Sequence, residues 1–397
     1  MRGSDQHWRP TAAEERYVTL DVLRGLALFG VLLVNLETLF RVSLFEQILH
    51  FHTDPGRWNH VVDVLLAGLL EFKAVSLFSL MFGIGSAIQA ERAAARGVNA
   101  TRFLVRRYLV LLALGLCHLL LIWNGDILVL YAVCGLLIVP FLRLPASMLA
   151  VLGGAAIALP YVVDLPIPFP AAYAMQAQAV AATQVYGSGT FMDILAFRFR
   201  ETGRFIVPLL LGILPQTAGL MLCGIAAWRS GVVREPQRYK RLLATVFVAA
   251  LGIGATATAL QVFSSSTGRR PAFPEGLLRL CSFIPLAFSY AAGLLLWMTP
   301  ARVTPVTSLF ASLGQMALTN YLTESVVLGF IFYGYGFGLF GRLGSASALL
   351  IGIALYIGQL VFSRLWLRHY RFGPVEWLWR SLTYGRWQRM RGSTSAA

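Results

Sequence analysis

Long apolar runs separated by short polar breaks dominate this chain. A helix crosses a bilayer with about 20 mostly apolar residues. Ten runs reach or approach that length: roughly 18–40, 61–90, 103–123, 126–143, 146–163, 204–228, 240–262, 277–298, 306–335 and 344–368. The third and fourth are joined only by Asn124 and Gly125, which predicts a tight hairpin. The pattern predicts an all-α integral membrane protein of about ten transmembrane helices spanning 18–368. Residues 1–17 form a polar segment ahead of the first run. That run has no small-residue cleavage site, so it does not read as a removable signal peptide. One long connection, about 164–203, carries Pro166, Pro168 and Pro170 and ends at Gly187-Ser188-Gly189. Two readings fit it, an amphipathic cover over the outer face or an irregular loop. The segment 369–397 alternates Trp377, Trp379, Tyr384 and Trp387 with arginines. That mixture suits a basic, aromatic interfacial helix at the headgroup level.

Composition agrees with the pattern. Hydrophobic residues make up 57% of the 397 positions and charged residues only 13%, about half the share of a soluble domain. Intrinsic disorder is excluded by the hydrophobicity, and four cysteines are too few for a disulfide scaffold. They read as small buried hydrophobes. The net charge of +15 comes almost wholly from arginine, Lys73 and Lys240 being the only lysines. A basic balance in a soluble chain points to nucleic acid; here the arginines punctuate apolar runs, which points to membrane lipids as partners and not to nucleic acid. Most basic residues fall on one side if both termini lie inside. The densest groups are Arg92, Arg96, Arg102, Arg106 and Arg107, then Arg229, Arg234, Arg238, Lys240 and Arg241. The positive-inside rule therefore predicts an N-in, C-in bundle.

Ionisable groups at bilayer depth cost about 2.5–3.5 kcal/mol each on insertion scales, so each needs a reason. Asp21 and Arg24 share a helical face in the first run, either as an ion pair that eases burial or with Arg24 turned to a ligand phosphate. Asn35 and Glu37 stand near the outer end of the same run. His118 lies below the hairpin, followed by Trp123, Asn124, Gly125, Asp126 and Tyr131. A carboxylate returning across so short a turn can fix the imidazole tautomer and raise its basicity. His118 and Asp126 are therefore the leading local candidates for an acid–base pair. His50, His52 and His60 crowd the segment after the first run; without thiols or a clear third ligand they make a poor metal site, and no metal is expected. Any of them can instead serve as a general base. Glu71 and Lys73 point to different helical faces, each needing a partner or a cavity. Asn320 and Glu324, with Gln315 and Thr319, form a polar patch suited to lining an aqueous pocket.

These residues resemble the YeiB-like membrane family, domain of unknown function 418. The matching blocks are Leu20 to Ala27 with Asn35, Ser76 to Gly85, His118 with Trp123 to Leu128, Met316 to Leu322 and Phe372 to Arg380. The likeness runs from Arg16 to Tyr384. That family is in turn similar to transmembrane acyltransferases, including acyltransferase family 3 and the heparan-alpha-glucosaminide acetyltransferase. The resemblance implies a multi-pass protein of the bacterial inner membrane with an acyltransferase-like bundle. Family 3 enzymes carry histidine eleven residues after the first-span arginine, where this chain has Asn35. The heparan enzyme takes its base from the loop before a Trp-Asn pair; Trp58-Asn59 is present, but Pro55 stands three residues before Trp58, and His52 and His60 flank it. No base is assigned by position.

The expected activity is transfer of an acyl group from cytoplasmic acyl-CoA, as donor substrate, to a small or sugar-like acceptor near the outer face. Arg102, Arg106 and Arg107 are expected at its phosphates, with Arg24, Glu71, Lys73, Trp123, Tyr131, Asn320 and Glu324 along its path. His118 with Asp126 would supply the base, with His60 or His52 as substitutes, and Asn35 and Asn320 would orient the thioester. The rival is a transporter or exporter of a small polar metabolite that uses the same buried groups. A homodimer is compatible with the sequence, which does not decide the oligomeric state.

Overall fold

The computed structural model describes residues 17–49, 54–267, 273–298 and 304–391. Of the described residues 80% are helical, and the only extended pairing among them is an isolated bridge between Tyr370 and Arg391. Sixteen helices follow in order: α1 Val18–Asn35, α2 Leu44–Ile48, α3 Arg57–Leu69, α4 Lys73–Ala95, α5 Ala100–Cys117, α6 Leu128–Ile138, α7 Ala146–Val162, α8 Ala172–Ser188, α9 Phe191–Glu201, α10 Val207–Arg229, α11 Lys240–Thr267, α12 Glu275–Met298, α13 Pro305–Gln315, α14 Ala317–Phe332, α15 Ser345–His369 and α16 Pro374–Tyr384. The protein is an all-α, multi-pass membrane protein.

Six helical stretches among the described residues are long and apolar enough to cross a bilayer: Val18–Phe40, Ala100–Ile122, Phe191–Arg229, Lys240–Ser264, Glu275–Met298 and Ser345–His369. Leu128–Arg143, Ala146–Val162 and Ala317–Phe332 are apolar but shorter. The remaining expected runs are broken by their backbone. The run at 61–90 divides into α3 and α4 at Phe72, whose φ of 57° is left-handed. The run at 306–335 divides at Met316, which ends α13 and starts α14. The connection at 164–203 is largely helical, holding α8 and α9, and α9 runs on through a π turn into α10. Residues 1–16 lie outside the described part, as do His50 and His52.

Burial separates the centre from the rim. In the apolar window of Val18–Phe40, 67% of residues are buried, against 17% for Lys240–Ser264. Helix α1 is therefore the hub and α11 faces outward. Around the hub, backbones touch where side chains vanish. A Cβ on Gly25 would strike the Phe310 carbonyl, and one on Gly314 the Asp21 carbonyl, locking α1 against α13. Gly83 and Gly224 do the same between α4 and α10, against the carbonyls of Met221 and Leu80. Small residues at helix contacts are how membrane bundles pack without a hydrophobic driving force. All four cysteines are unpaired; Cys134 is buried as expected of a small hydrophobe, whereas Cys117 is exposed on α5.

Candidate functional site

Three helices end in π turns: Leu36–Phe40 after α1, His118–Ile122 after α5 and Thr202–Ile206 after α9. Single π turns inside helices recur at functional sites because they re-aim side chains. Here they meet at the hairpin Trp123-Asn124-Gly125-Asp126. The Trp123 indole is fully buried and stacks on Phe40, with ring centroids 4.4 Å apart. Asn124 donates through Nδ2 to the Glu201 carboxylate and, at 3.1 Å, to the Tyr186 hydroxyl. Any side chain on Gly125 would collide with the Trp123 ring.

Asp126 reaches back to the imidazole. His118 Nδ1 lies 2.6 Å from Asp126 Oδ2, and Asp126 Oδ1 accepts from the Val129 amide at 2.7 Å in the first turn of α6. The contact favours the ring proton on Nδ1 and leaves Nε2 as the basic nitrogen. Both residues are buried, and Nε2 has no hydrogen-bond partner. Such an orphaned buried nitrogen costs about 1–3 kcal/mol. Tyr321 packs its ring on His118 at 5.3 Å, while its hydroxyl accepts from the Ile127 amide at 3.2 Å.

Beside this pair runs a cavity of about 220 Å³. One end is lined by Arg24, Gln89, Arg107 and Arg380, the other by Phe78, Ile127, Tyr131 and Tyr321. Gln89 and Phe78 lie on one helix, about 16 Å apart at about 1.5 Å per residue. Arg24 pairs with Asp21 at 2.8 Å, as the ion-pair reading expects, and also lines the cavity. The Arg107 guanidinium lies over the Trp379 ring at 3.6 Å. Its other neighbours include Arg380 and Arg24, three like charges about one space.

Helix α16 supplies Arg380, Trp379 and Glu376 to the cavity wall. Its anchor is Glu376, whose carboxylate accepts from the amides of Leu318 and Thr319 at 2.7 and 3.0 Å and from the Thr319 hydroxyl. These are the free N–H groups at the start of α14, which favour a negative partner. Burial nonetheless raises the Glu376 pKa above its ordinary 4.5, outweighing the bonds that lower it. The tail is thus a cavity wall, a part that its tryptophan and arginine alternation did not disclose.

The other expected residues are distributed elsewhere. Tyr131 lines the cavity, its hydroxyl bonded to Ser79 at 3.0 Å and to the Val75 carbonyl. Arg102 is exposed, and Arg106 is exposed with its Nε on the Leu382 carbonyl at 3.1 Å, so Arg107 alone of the three faces the cavity. Lys73 is buried and donates to the Ala67 carbonyl at 2.7 Å, while Glu71 is half-buried at the α3–α4 break; neither lines the cavity. Asn320 ties helices together through Ser363 at 2.9 Å and the Leu313 carbonyl, with Gln359 donating to its carbonyl oxygen. Glu324 is buried beside Gln359. Asn35 is half-buried where α1 passes into its π turn, outside the cavity lining. His60 is exposed in the first turn of α3, and His52 lies outside the described residues. Sequence reasoning missed Arg198, Glu201, Arg41 and Arg380. Arg198 and the buried Arg41, which pairs with Glu37 and Asp54, are each flanked by apolar residues, the signal that marks an intramembrane charge.

The match to the family described as "Protein of unknown function (DUF418)" covers residues 227–386. The chain is 34% identical to the uncharacterized protein YxaH of Bacillus subtilis, over 97% of this chain and 98% of that protein. It is 30% identical to the uncharacterized protein YeiB of Escherichia coli, over 93% and 96% respectively. An uncharacterized 39.9 kDa protein of Bacillus acidopullulyticus is 29% identical over 95% of this chain.

Proposed function

We propose, for a chain that belongs to the DUF418 family of YeiB-like membrane proteins, that it is a transmembrane acyltransferase drawing on a CoA thioester. The observation that carries this reading is the cavity that joins Arg24, Arg107 and Arg380 at one end to Tyr321, against His118, at the other. Three guanidinium groups converge on this space, Arg24 among them paired with Asp21; arginine's fork matches phosphate oxygens in pairs, which suits a polyanionic nucleotide. The apolar stretch past Met81, Phe82 and Leu111 suits an alkyl-amide arm. His118 Nε2 would accept the proton of an acceptor hydroxyl or amine as that atom attacks the thioester carbonyl, and the CoA thiolate would leave. Asp126 would stabilise the imidazolium so formed. Tyr321 stands between the cavity and the imidazole, so its displacement would join the two. An acceptor with a sugar-like hydroxyl fits this base, and a helical bundle fits a bacterial inner membrane.

Titration calorimetry of the purified protein with CoA tests the reading. Wild type should bind, and Arg107→Gln or Arg380→Gln should each weaken binding about tenfold, the loss expected for one charge-assisted contact. No heat at millimolar CoA would remove the donor and leave the transporter reading, for which the buried Glu324 is the natural proton or substrate site.

A further inference from the structure

Arg198 sits in α9 with 1% of its surface exposed, and none of its three guanidinium nitrogens has a hydrogen-bond partner. One turn along, the buried Thr202 hydroxyl is also unpartnered; residues four apart share a helical face. The Glu201 carboxylate interacts electrostatically with Arg198 but makes its hydrogen bonds elsewhere. Its oxygens accept from Tyr186 at 2.6 Å, from Gln178 at 3.1 Å and from Asn124. Arg198 lies in electrostatic contact with Tyr186, Tyr333 and Tyr335. Tyr186 and Tyr333 are stacked 4.8 Å apart, with Phe340 5.4 Å from Tyr186. A buried guanidinium with none of its hydrogen bonds made is costly to retain, and native structures leave few such groups unexplained.

We propose that Arg198, with Thr202, holds an anionic group of a second ligand, a carboxylate or a phosphate, against the Tyr186–Tyr333 wall. None of these residues lines the arginine cavity, so the proposal stands apart from the CoA reading. The cover over the site is the turn Tyr333 to Gly341, in which glycine alternates with aromatic residues up to Gly338. Its Gly334 amide donates to the Tyr186 carbonyl at 2.7 Å, and Gly338 and Gly341 hold φ of 63° and 69°. Glycine takes up such angles without strain, so this turn is the segment able to open and admit the ligand. The site is closed in the present structure, and the hairpin's Asn124 links it to Asp126 two residues on.

Thermal midpoints of the purified full chain test this. Sodium acetate and inorganic phosphate are each compared with chloride at matched ionic strength in detergent, then phosphatidylglycerol with phosphatidylcholine nanodiscs. A dose-dependent rise with acetate or phosphate supports a free anion, and a rise confined to phosphatidylglycerol supports a lipid headgroup. In either arm Arg198→Gln should weaken half-saturation about tenfold or more, Arg200→Gln, an exposed neighbour, should not, and CoA binding should persist. Should Arg198→Gln fail to fold, Thr202→Val carries the test with about a threefold weakening. The proposal is overturned if no arm stabilises wild type, or if Arg198→Gln, or Thr202→Val in its stead, responds as wild type does.

Discussion

His118 and Asp126 make a 2.6 Å contact inside a buried hairpin, and the chemistry proposed depends on their acting as one unit. Removing a general base costs about 10²–10⁴ in rate, so His118→Ala should lower acyl transfer by that order. Asp126→Ala should fall nearly as far, since the ring would lose its orientation. The double substitution should cost little more than the worse single one, because groups acting as a unit are not additive. Full activity per folded molecule in His118→Ala would make the pair a packing device. This contact was legible in the sequence because the intervening turn is so short that few geometries exist. The Arg24–Asp21 pair was legible for the same local reason. Arg380 beside Arg107 was not, because only the packing of α16 on α5 brings them together.

Helix α16 shows what a composition-based reading can and cannot reach. Its tryptophans and arginines suggested a helix at the membrane surface; the structure adds that the element is tied to the start of α14 by a buried carboxyl and to α5 by Trp379 and Leu382. The Glu376 pKa is raised by burial, so the folded state keeps the proton longer than the unfolded state does. The resulting stabilisation is present below the ordinary value of 4.5 and is lost as pH rises through the raised one. Protection of the α16 amides against exchange, taken relative to the intrinsic rate at each pH, should accordingly be lower at pH 8 than at pH 5, and Glu376→Gln should flatten that difference. Protection independent of pH in wild type would contradict the assignment. At the same scale, the close approach of α1 and α13 predicts that Gly314→Ala destabilises by about 1–3 kcal/mol, the range for forced overpacking. Unchanged melting of that variant would mean the helices separate freely. The breaks at Phe72 and Met316 were not legible, since hydropathy averages over a left-handed residue or a missed turn without registering either.

For the whole molecule, the apolar runs foretold an all-helical membrane bundle. What the runs could not supply was their arrangement around α1, because every apolar helix looks alike until glycines choose its neighbours. The arrangement places an arginine-lined cavity against the His118–Asp126 hairpin, with the Arg198 cluster on the hairpin's other side. The most direct measurement of that arrangement is an experimental density map of the protein with a non-hydrolysable CoA thioester analogue. The account predicts nucleotide phosphates at Arg24, Arg107 and Arg380, and the thioester end directed to Tyr321 and His118. An unoccupied cavity at saturating analogue, or an analogue bound away from these arginines, would contradict it.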